Sequence, residues 1–167
     1  MSISAVRVGQ GFDIHRFSDD PSRALILGGV HFVGERGLEG HSDADVIAHA
    51  CADALLGAAG LGDIGQHFAD TDPAWKGIDS LKILDHVGVM VRSQGWLIGN
   101  IDCSVVCEQP KLAPQRDEMQ DKLSKTAGTT VSVKGRRAEG LGALGRQEGI
   151  ACWAVAVLFQ VDHRSEV

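Results

Sequence analysis

The sequence is short of positive charge. Its 16 Lys and Arg stand against 22 Asp and Glu, a formal charge of −6, whereas a nucleic-acid binder needs a basic face to displace counterions from phosphates. Nucleic acid is therefore not an expected partner, although a small phosphorylated molecule needs only a local positive site. Long apolar runs are missing as well. No stretch reaches the roughly 18–20 uninterrupted apolar residues of a membrane span, and residues 1–8 show no apolar segment after a basic start. No membrane contact is expected, and the cytoplasm is the default compartment. Cysteine is sparse: Cys51, Cys103, Cys107 and Cys152 are scattered without a CxxC pair. This argues against a disulfide framework or a zinc ribbon and for buried, reduced thiols. Internal repeats and low-complexity tracts are lacking too.

What is present is a chain of one-domain length. With 167 residues, 44% hydrophobic and 23% charged, residues 1–167 are read as one domain with a packed core. Ser4 to Phe17 alternates small and apolar residues with polar ones, as a strand does, and Ala24 to Val33, broken at Gly28 and Gly29, reads as a strand or hairpin arm. The period then becomes helical. Val46, Ile47, Ala50, Ala54 and Leu55 share a face of a helix predicted over Asp43 to Ala59, with Ser42 or Asp43 as N-cap and Gly60 as stop. Leu61 to Gly77 has no sustained period and is expected as a long irregular connection, a kind of segment that is usually functional or mobile.

A second helix is predicted over Asp79 to Gln94, ending at Gly95. A strand over Trp96 to Glu108 follows, alternating Ile101, Cys103, Val105 and Cys107 with polar Asp102 and Ser104. Pro114 to Thr126 reads as a short amphipathic helix and Val131 to Lys134 as a strand. The apolar run Gly149 to Val161 has no deciding period; its Ala, Cys, Trp and Val favour a buried strand. This order describes an α+β fold, a mixed four-stranded sheet with helices packed on one face plus a small hairpin.

Several segments carry residues suited to chemistry. In GQGFDIHRF, Asp13 and His15 are two apart on a predicted strand, so both side chains leave one face and can converge on one ion. Alone, such a pair is equally a surface carboxylate beside an ordinary histidine. Gly9 and Gly11 do not make a dinucleotide loop, because the third glycine is missing and no helix opens afterwards. In GLEGHSDADVIAHACAD, Asp45, His49 and Asp53 are spaced i, i+4, i+8 along a helix. His49 is then either a salt-bridged surface residue or a metal ligand held by outer acceptors. Taken together, Asp13, His15 and His49 offer two imidazoles and a carboxylate, leaving open the fourth position of a tetrahedral zinc that draws charge from a phosphoryl oxygen.

GDIGQHFADTDP sets Asp63, Asp70 and Asp72 among glycines, a pattern that by itself signifies local turns. In CEQPKLAP, Lys111 follows a strand end and a proline. VKGRRAEGLGALGRQEG places Lys134, Arg136, Arg137 and Arg146 near Glu139 and Glu148, among glycines that let backbone N–H groups approach phosphate. No serine or cysteine nucleophile motif stands out.

These segments, with LGGV, DSLKIL, GNIDCSVVCEQPKLAP and GRQEGI, occur in the order and spacing of the 2-C-methyl-D-erythritol 2,4-cyclodiphosphate synthase family. The chain resembles that family over nearly its whole length, most specifically in the central block from Gly40 to Pro73. The resemblance implies a reaction in which the 2-phosphate of a diphosphocytidyl methylerythritol attacks the β-phosphorus, closes a cyclodiphosphate and releases CMP. The substrate brings its own nucleophile, which suits a chain without one.

By the same resemblance, Asp13, His15 and His49 hold Zn2+, and Glu139 contacts a second divalent ion, Mg2+ or Mn2+. His41 and Ser42 match a mobile segment over the substrate, with His41 and Arg137 the candidate catalytic residues. Asp63, Ile64, Gly65, Phe68, Ala69, Asp70, Thr71 and Asp72 match the methylerythritol-phosphate pocket. Cys107, Pro110, Lys111, Leu112 and Ala113 match the cytidine site. Arg146 matches an arginine near a central channel of a homotrimer whose sites lie between subunits.

The chain departs from the family at Arg136, Arg137 and Ala138, where three threonines are usual, and at Ala143, where a phenylalanine is usual. Arg137 stands where a catalytic threonine hydroxyl is expected. Three functions follow for comparison: an active synthase, a trimeric binder of isoprenoid or nucleotide diphosphates with little catalysis, and a zinc phosphoesterase using metal-bound water.

Overall fold

The computed structural model describes residues 2–69 and 71–162. Its elements run β1 (Ser2–Arg16), β2 (Leu25–Leu27), β3 (Val30–Phe32), α1 (Val46–Ala59), α2 (Ile64–His67), α3 (Ser80–Ser93), β4 (Leu97–Val106), α4 (Arg116–Ala127), β5 (Thr130–Arg136), α5 (Gly142–Gly145) and β6 (Gly149–Asp162). One sheet has the order β1-β6-β4-β5 and the other is the β2–β3 hairpin. β6 is antiparallel to both β1 and β4, while β4 and β5 are parallel, so the four-stranded sheet is mixed, as expected. α1 packs on β1 and β6, α4 on β5, and α3 on both α1 and α4, forming a helical layer over one face.

The period-two rule decides what that layer covers. Ile101, Cys103 and Val105 of β4, with Ile150, Cys152, Ala154, Ala156 and Leu158 of β6, are buried, while Trp153 and Val155 of β6 are exposed. The outward face is itself apolar. Val6, Val8, Phe12 and Ile14 of β1 are exposed there, and the Phe12 and Trp153 rings lie 4.8 Å apart. With both faces apolar, β6 has no hydropathy alternation, which is why its sequence alone left helix and strand open.

Gly9 and Gly11 serve the approach of α1 to β1. A Cβ on Gly9 would lie 2.1 Å from the Ala54 carbonyl oxygen, and one on Gly11 would lie 2.0 Å from that of Ala50. Only glycine lets the helix backbone rest directly on the strand. Asp13 and His15 continue the same face of β1 and so meet the first turn of α1, where His49 sits.

Several expectations need correction at element ends. Helix α1 begins at Val46 with Asp45 as its N-cap, not Ser42 or Asp43. The Asp45 carboxylate accepts from Ile47 N and Ala48 N, at 3.0 and 3.2 Å, and also from Gly28 N and Gly29 N of the hairpin turn, at 2.9 and 2.6 Å. Capping and clasping the hairpin together outweigh the other cap-type residues nearby. The connection over Leu61 to Gly77 is not wholly irregular: it contains α2, capped by Asp63, and a 3-10 turn at Pro73–Trp75. The short helix α5 gave no sequence signal. All four cysteines are buried and free. No helix among the described residues is long and apolar enough to cross a membrane.

Candidate metal centre

Asp13 and His15 from β1 and His49 from α1 bring three donor atoms together. Asp13 Oδ2 lies 3.0 Å from His15 Nε2 and 3.0 Å from His49 Nδ1, and the two ring nitrogens are 3.4 Å apart. Ligand atoms at about 2.0–2.1 Å from a tetrahedral zinc stand about 3.3 Å from one another, so the spacing fits a metal of that size with small adjustment. The grouping is also the pattern of a possible metal site.

Each ring is aimed by what holds its other nitrogen. His15 Nδ1 donates to the Glu39 carbonyl at 2.6 Å, which leaves the Nε2 lone pair facing Asp13. His49 Nε2 lies 2.9 Å from Ser80 Oγ and 3.1 Å from Ser42 Oγ. The Ser80 hydroxyl donates to Asp43 Oδ1, so Ser80 Oγ accepts from His49 Nε2–H and the Nδ1 lone pair is free for the ion. Such outer partners fix ring tautomer and orientation at metal sites. Burial alone would raise the Asp13 carboxyl, but its bonds to both imidazoles and their charge hold it well below the usual carboxylate range. Burial alone would lower His15, yet the Asp13 carboxylate raises it above its ordinary value.

Asp45 and Asp53 do not hold His49, although their spacing suggested it. A cap residue folds back over the first turn, and Asp45 is engaged there, while Asp53 Oδ1 accepts from Ile64 N at 3.3 Å. Burial raises the Asp53 carboxyl.

The three donors open into a cavity of about 470 Å³, also lined by His41, Ser42, Ile64, Gly65, Phe68 and Ala69. Asp63 is not among its lining residues; its carboxylate caps α2 and takes Gln66 N and Nε2, both at 3.0 Å. His41 Nε2 donates to the Asp72 carbonyl at 3.1 Å, and Thr71 and Asp72 are exposed. Asp70 lies outside the described residues. Ser42 is buried and its hydroxyl is turned to His49 and Ser80.

A second cavity, about 270 Å³, gathers Cys107, Pro110, Lys111, Leu112 and Ala113 with Arg137, together with Arg116 and Arg136, which were not counted with that group. Within one chain it shares no lining residue with the metal cavity. Glu139 is exposed just beyond Arg137 and holds φ at +54°, a left-handed conformation that a non-glycine residue adopts at a cost and that clusters at functional sites. Arg146 lines neither cavity and bonds Glu148 Oε1 through Nε at 2.7 Å.

Sequence reasoning missed Trp75 and Ile83 as lining residues, and Asp43, Ser80 and Arg23 as supports. An isolated tryptophan in a polar loop was the available signal for Trp75. For Ser80 and Arg23 there was none, because ordinary polar residues become supports only through tertiary proximity.

The YgbB family model matches residues 6–159. The chain is similar to the 2-C-methyl-D-erythritol 2,4-cyclodiphosphate synthase of Nostoc sp., 52% identical over 164 residues that cover 96% of this chain and 98% of the relative. Among solved structures it is similar to the bifunctional IspDF of Campylobacter jejuni, with a TM-score of 0.90 and 39% identity over 96% of this chain and 44% of that one. It is also similar to IspF of Plasmodium falciparum in its CDP complex, with a TM-score of 0.82 and 32% identity over 96% of this chain and 100% of that one.

Proposed function

Because this chain belongs to the YgbB family, we propose that it converts 4-diphosphocytidyl-2-C-methyl-D-erythritol 2-phosphate to 2-C-methyl-D-erythritol 2,4-cyclodiphosphate with release of CMP. It is a lyase of the non-mevalonate isoprenoid route. An oxygen of the 2-phosphate forms a bond to the β-phosphorus, the bond from that phosphorus to the bridging oxygen breaks, and CMP carries the bridging oxygen away. The observation that carries this reading is the convergence of Asp13 Oδ2, His15 Nε2 and His49 Nδ1 within 3.4 Å beside a cavity able to take a small phosphorylated polyol.

In this reading the trio holds zinc, and Glu139 holds a second divalent ion, Mg2+ or Mn2+; such ions supply Lewis-acid charge to phosphoryl oxygens. Ile64 and Phe68 give the methylerythritol chain apolar contact, and His41 closes over it. Lys111 and Arg137 orient the nucleotide phosphates, Arg137 with a guanidinium fork in place of a hydroxyl. The CDP complex of the Plasmodium falciparum relative supports a nucleotide site of this kind. The chain assembles as a homotrimer. Two observations support this: the apolar outward face of the sheet, larger than single scattered residues would make it, and the separation of the two cavities within one chain, which a neighbouring subunit would bring together.

The test is to incubate the protein with the diphosphocytidyl substrate, zinc and magnesium. CMP and the cyclic diphosphate are expected in equal amounts. A linear, hydrolysed product would indicate a phosphoesterase, and bound substrate without CMP a binding protein; the synthase names of the relatives disfavour the latter.

A further inference from the structure

We infer that Arg23 is a positioning residue for the metal centre. It lies in the link between β1 and β2, half-buried, and lines neither the metal cavity nor the nucleotide cavity. Its Nε donates to the Leu38 carbonyl, and its Nη2 donates to the carbonyls of Gly40 at 2.8 Å and Ser42 at 2.6 Å. From the other side, Ser18 N donates to the Gly37 carbonyl and Glu39 N to the Arg16 carbonyl, both at 2.8 Å. Residues 37–42 are thus a strip held from both sides, running beside the end of β1 at 37–39 and bending from Gly40 onward. Gly37 and Glu39 bond the end of β1, the His41 carbonyl accepts from Gly77 N at 2.8 Å, and the carbonyls of Leu38, Gly40 and Ser42 bond one guanidinium.

Two groups on that strip aim the two imidazoles. The Glu39 carbonyl holds His15 Nδ1 at 2.6 Å, and Ser42 Oγ lies 3.1 Å from His49 Nε2. Both lie between or at carbonyls that Arg23 binds. A shift of the strip by a few tenths of an ångström would therefore turn the His15 ring and move one of the two hydroxyls beside His49 Nε2, and metal geometry tolerates little such error. Arginine suits this task because its planar fork presents several donors in fixed directions; a lysine head can replace one such bond but not the arrangement. Arg23 acts through the strip and touches neither the ion position nor the substrate cavity.

This inference rests on reading Asp13, His15 and His49 as a metal centre, so the test begins with the wild type. Zinc affinity is measured for metal-free wild type, Arg23→Met and Arg23→Lys by competition with a chromophoric chelator. The visible spectrum of each cobalt(II) form and the thermal unfolding of each metal-free form are recorded alongside. Loss of an outer partner typically costs about 10–100-fold in metal affinity. That loss is expected for Arg23→Met, with a smaller one for Arg23→Lys, a changed cobalt spectrum in both, and a melting temperature close to wild type. Unchanged zinc affinity and cobalt spectra would overturn the inference. So would an affinity loss that only follows a matching fall in metal-free stability, since Arg23 would then be a general brace. If Arg23→Met does not fold, Arg23→Lys decides by the same readings. A wild type that takes up no zinc overturns the metal-centre reading itself, a failure distinct from wild type and variants binding zinc alike.

Discussion

The two cavities differ in how far their side chains are committed before any ligand arrives. Around the metal position, every donor is aimed: His15 by the Glu39 carbonyl, His49 by Ser80 and Ser42, and Asp13 by both rings. Around the second cavity, Lys111, Arg136 and Arg137 are exposed, and Arg136 Nη1 bonds only as far as the neighbouring Gly135 carbonyl at 2.9 Å. A coordination site must be built to within a fraction of an ångström to work at all, whereas long cationic side chains on a loop can order as the phosphates bind. The first region should therefore control turnover, and the second mainly affinity.

The largest test of that contrast is removal of a ligand. Asp13→Ala or His49→Ala should abolish stoichiometric zinc and lower kcat/KM by more than the roughly 10–100-fold that an outer partner is worth. Metal analysis and CMP release read this, and either variant keeping zinc and turnover would break the comparison. Next in size is the scaffold beneath. Gly11→Val puts a side chain 2.0 Å from the Ala50 carbonyl oxygen, an overpacking that costs about 1–3 kcal/mol or more. Denaturant midpoints should fall, and zinc affinity with them, because α1 carries His49. An unchanged midpoint would mean that α1 does not rest on β1 through these glycines.

Smaller still is the effect expected at the second cavity, the proposed nucleotide site. Arg137→Ala should raise KM about tenfold, near the low end of what a hydrogen bond to a charged group contributes, with kcat changed only a few-fold. A large kcat loss would move Arg137 from affinity to chemistry. The triple change Arg136→Thr, Arg137→Thr and Ala138→Thr sharpens the point: strongly increased turnover would favour the weakly active reading of this loop.

The smallest effect is that of pH on the metal-free protein. Asp13 is depressed, so its contribution to stability is complete above its ordinary value of about 3.9 and is lost as pH falls through its folded value. His15 is raised, so its contribution is complete below about 6.5 and is lost as pH rises through its folded value. The Asp13–His15 pair therefore stabilises the metal-free chain most between these limits. Zinc competes with the His15 proton and should bind more weakly there than at higher pH. Melting temperature and zinc affinity that moved together across that range would contradict this.

Much of this was legible in the residues, for identifiable reasons. The two-residue spacing of Asp13 and His15 is a property of strands, and the α1 period was unambiguous, so the ligands and the helix that delivers His49 could be named together. The N-cap could not be fixed, because Ser42, Asp43 and Asp45 are all cap-type residues and only the hairpin amides at Gly28 and Gly29 single out Asp45. β6 was ambiguous because its outward face is apolar. Gly9 and Gly11 could be excluded as a dinucleotide loop, but their purpose required knowing that a helix lies across them. Arg23, Asp43 and Ser80 act through tertiary bonds spanning 15 to 37 residues, which no local pattern encodes.

The central claim is most directly tested by nitrogen-15 NMR of the histidine rings in the zinc-loaded protein. The account predicts one zinc per chain, with His15 bound through Nε2 and protonated at Nδ1, and His49 bound through Nδ1 and protonated at Nε2. Rings that stay uncoordinated in the presence of zinc, or that both bind through the same nitrogen, would contradict it.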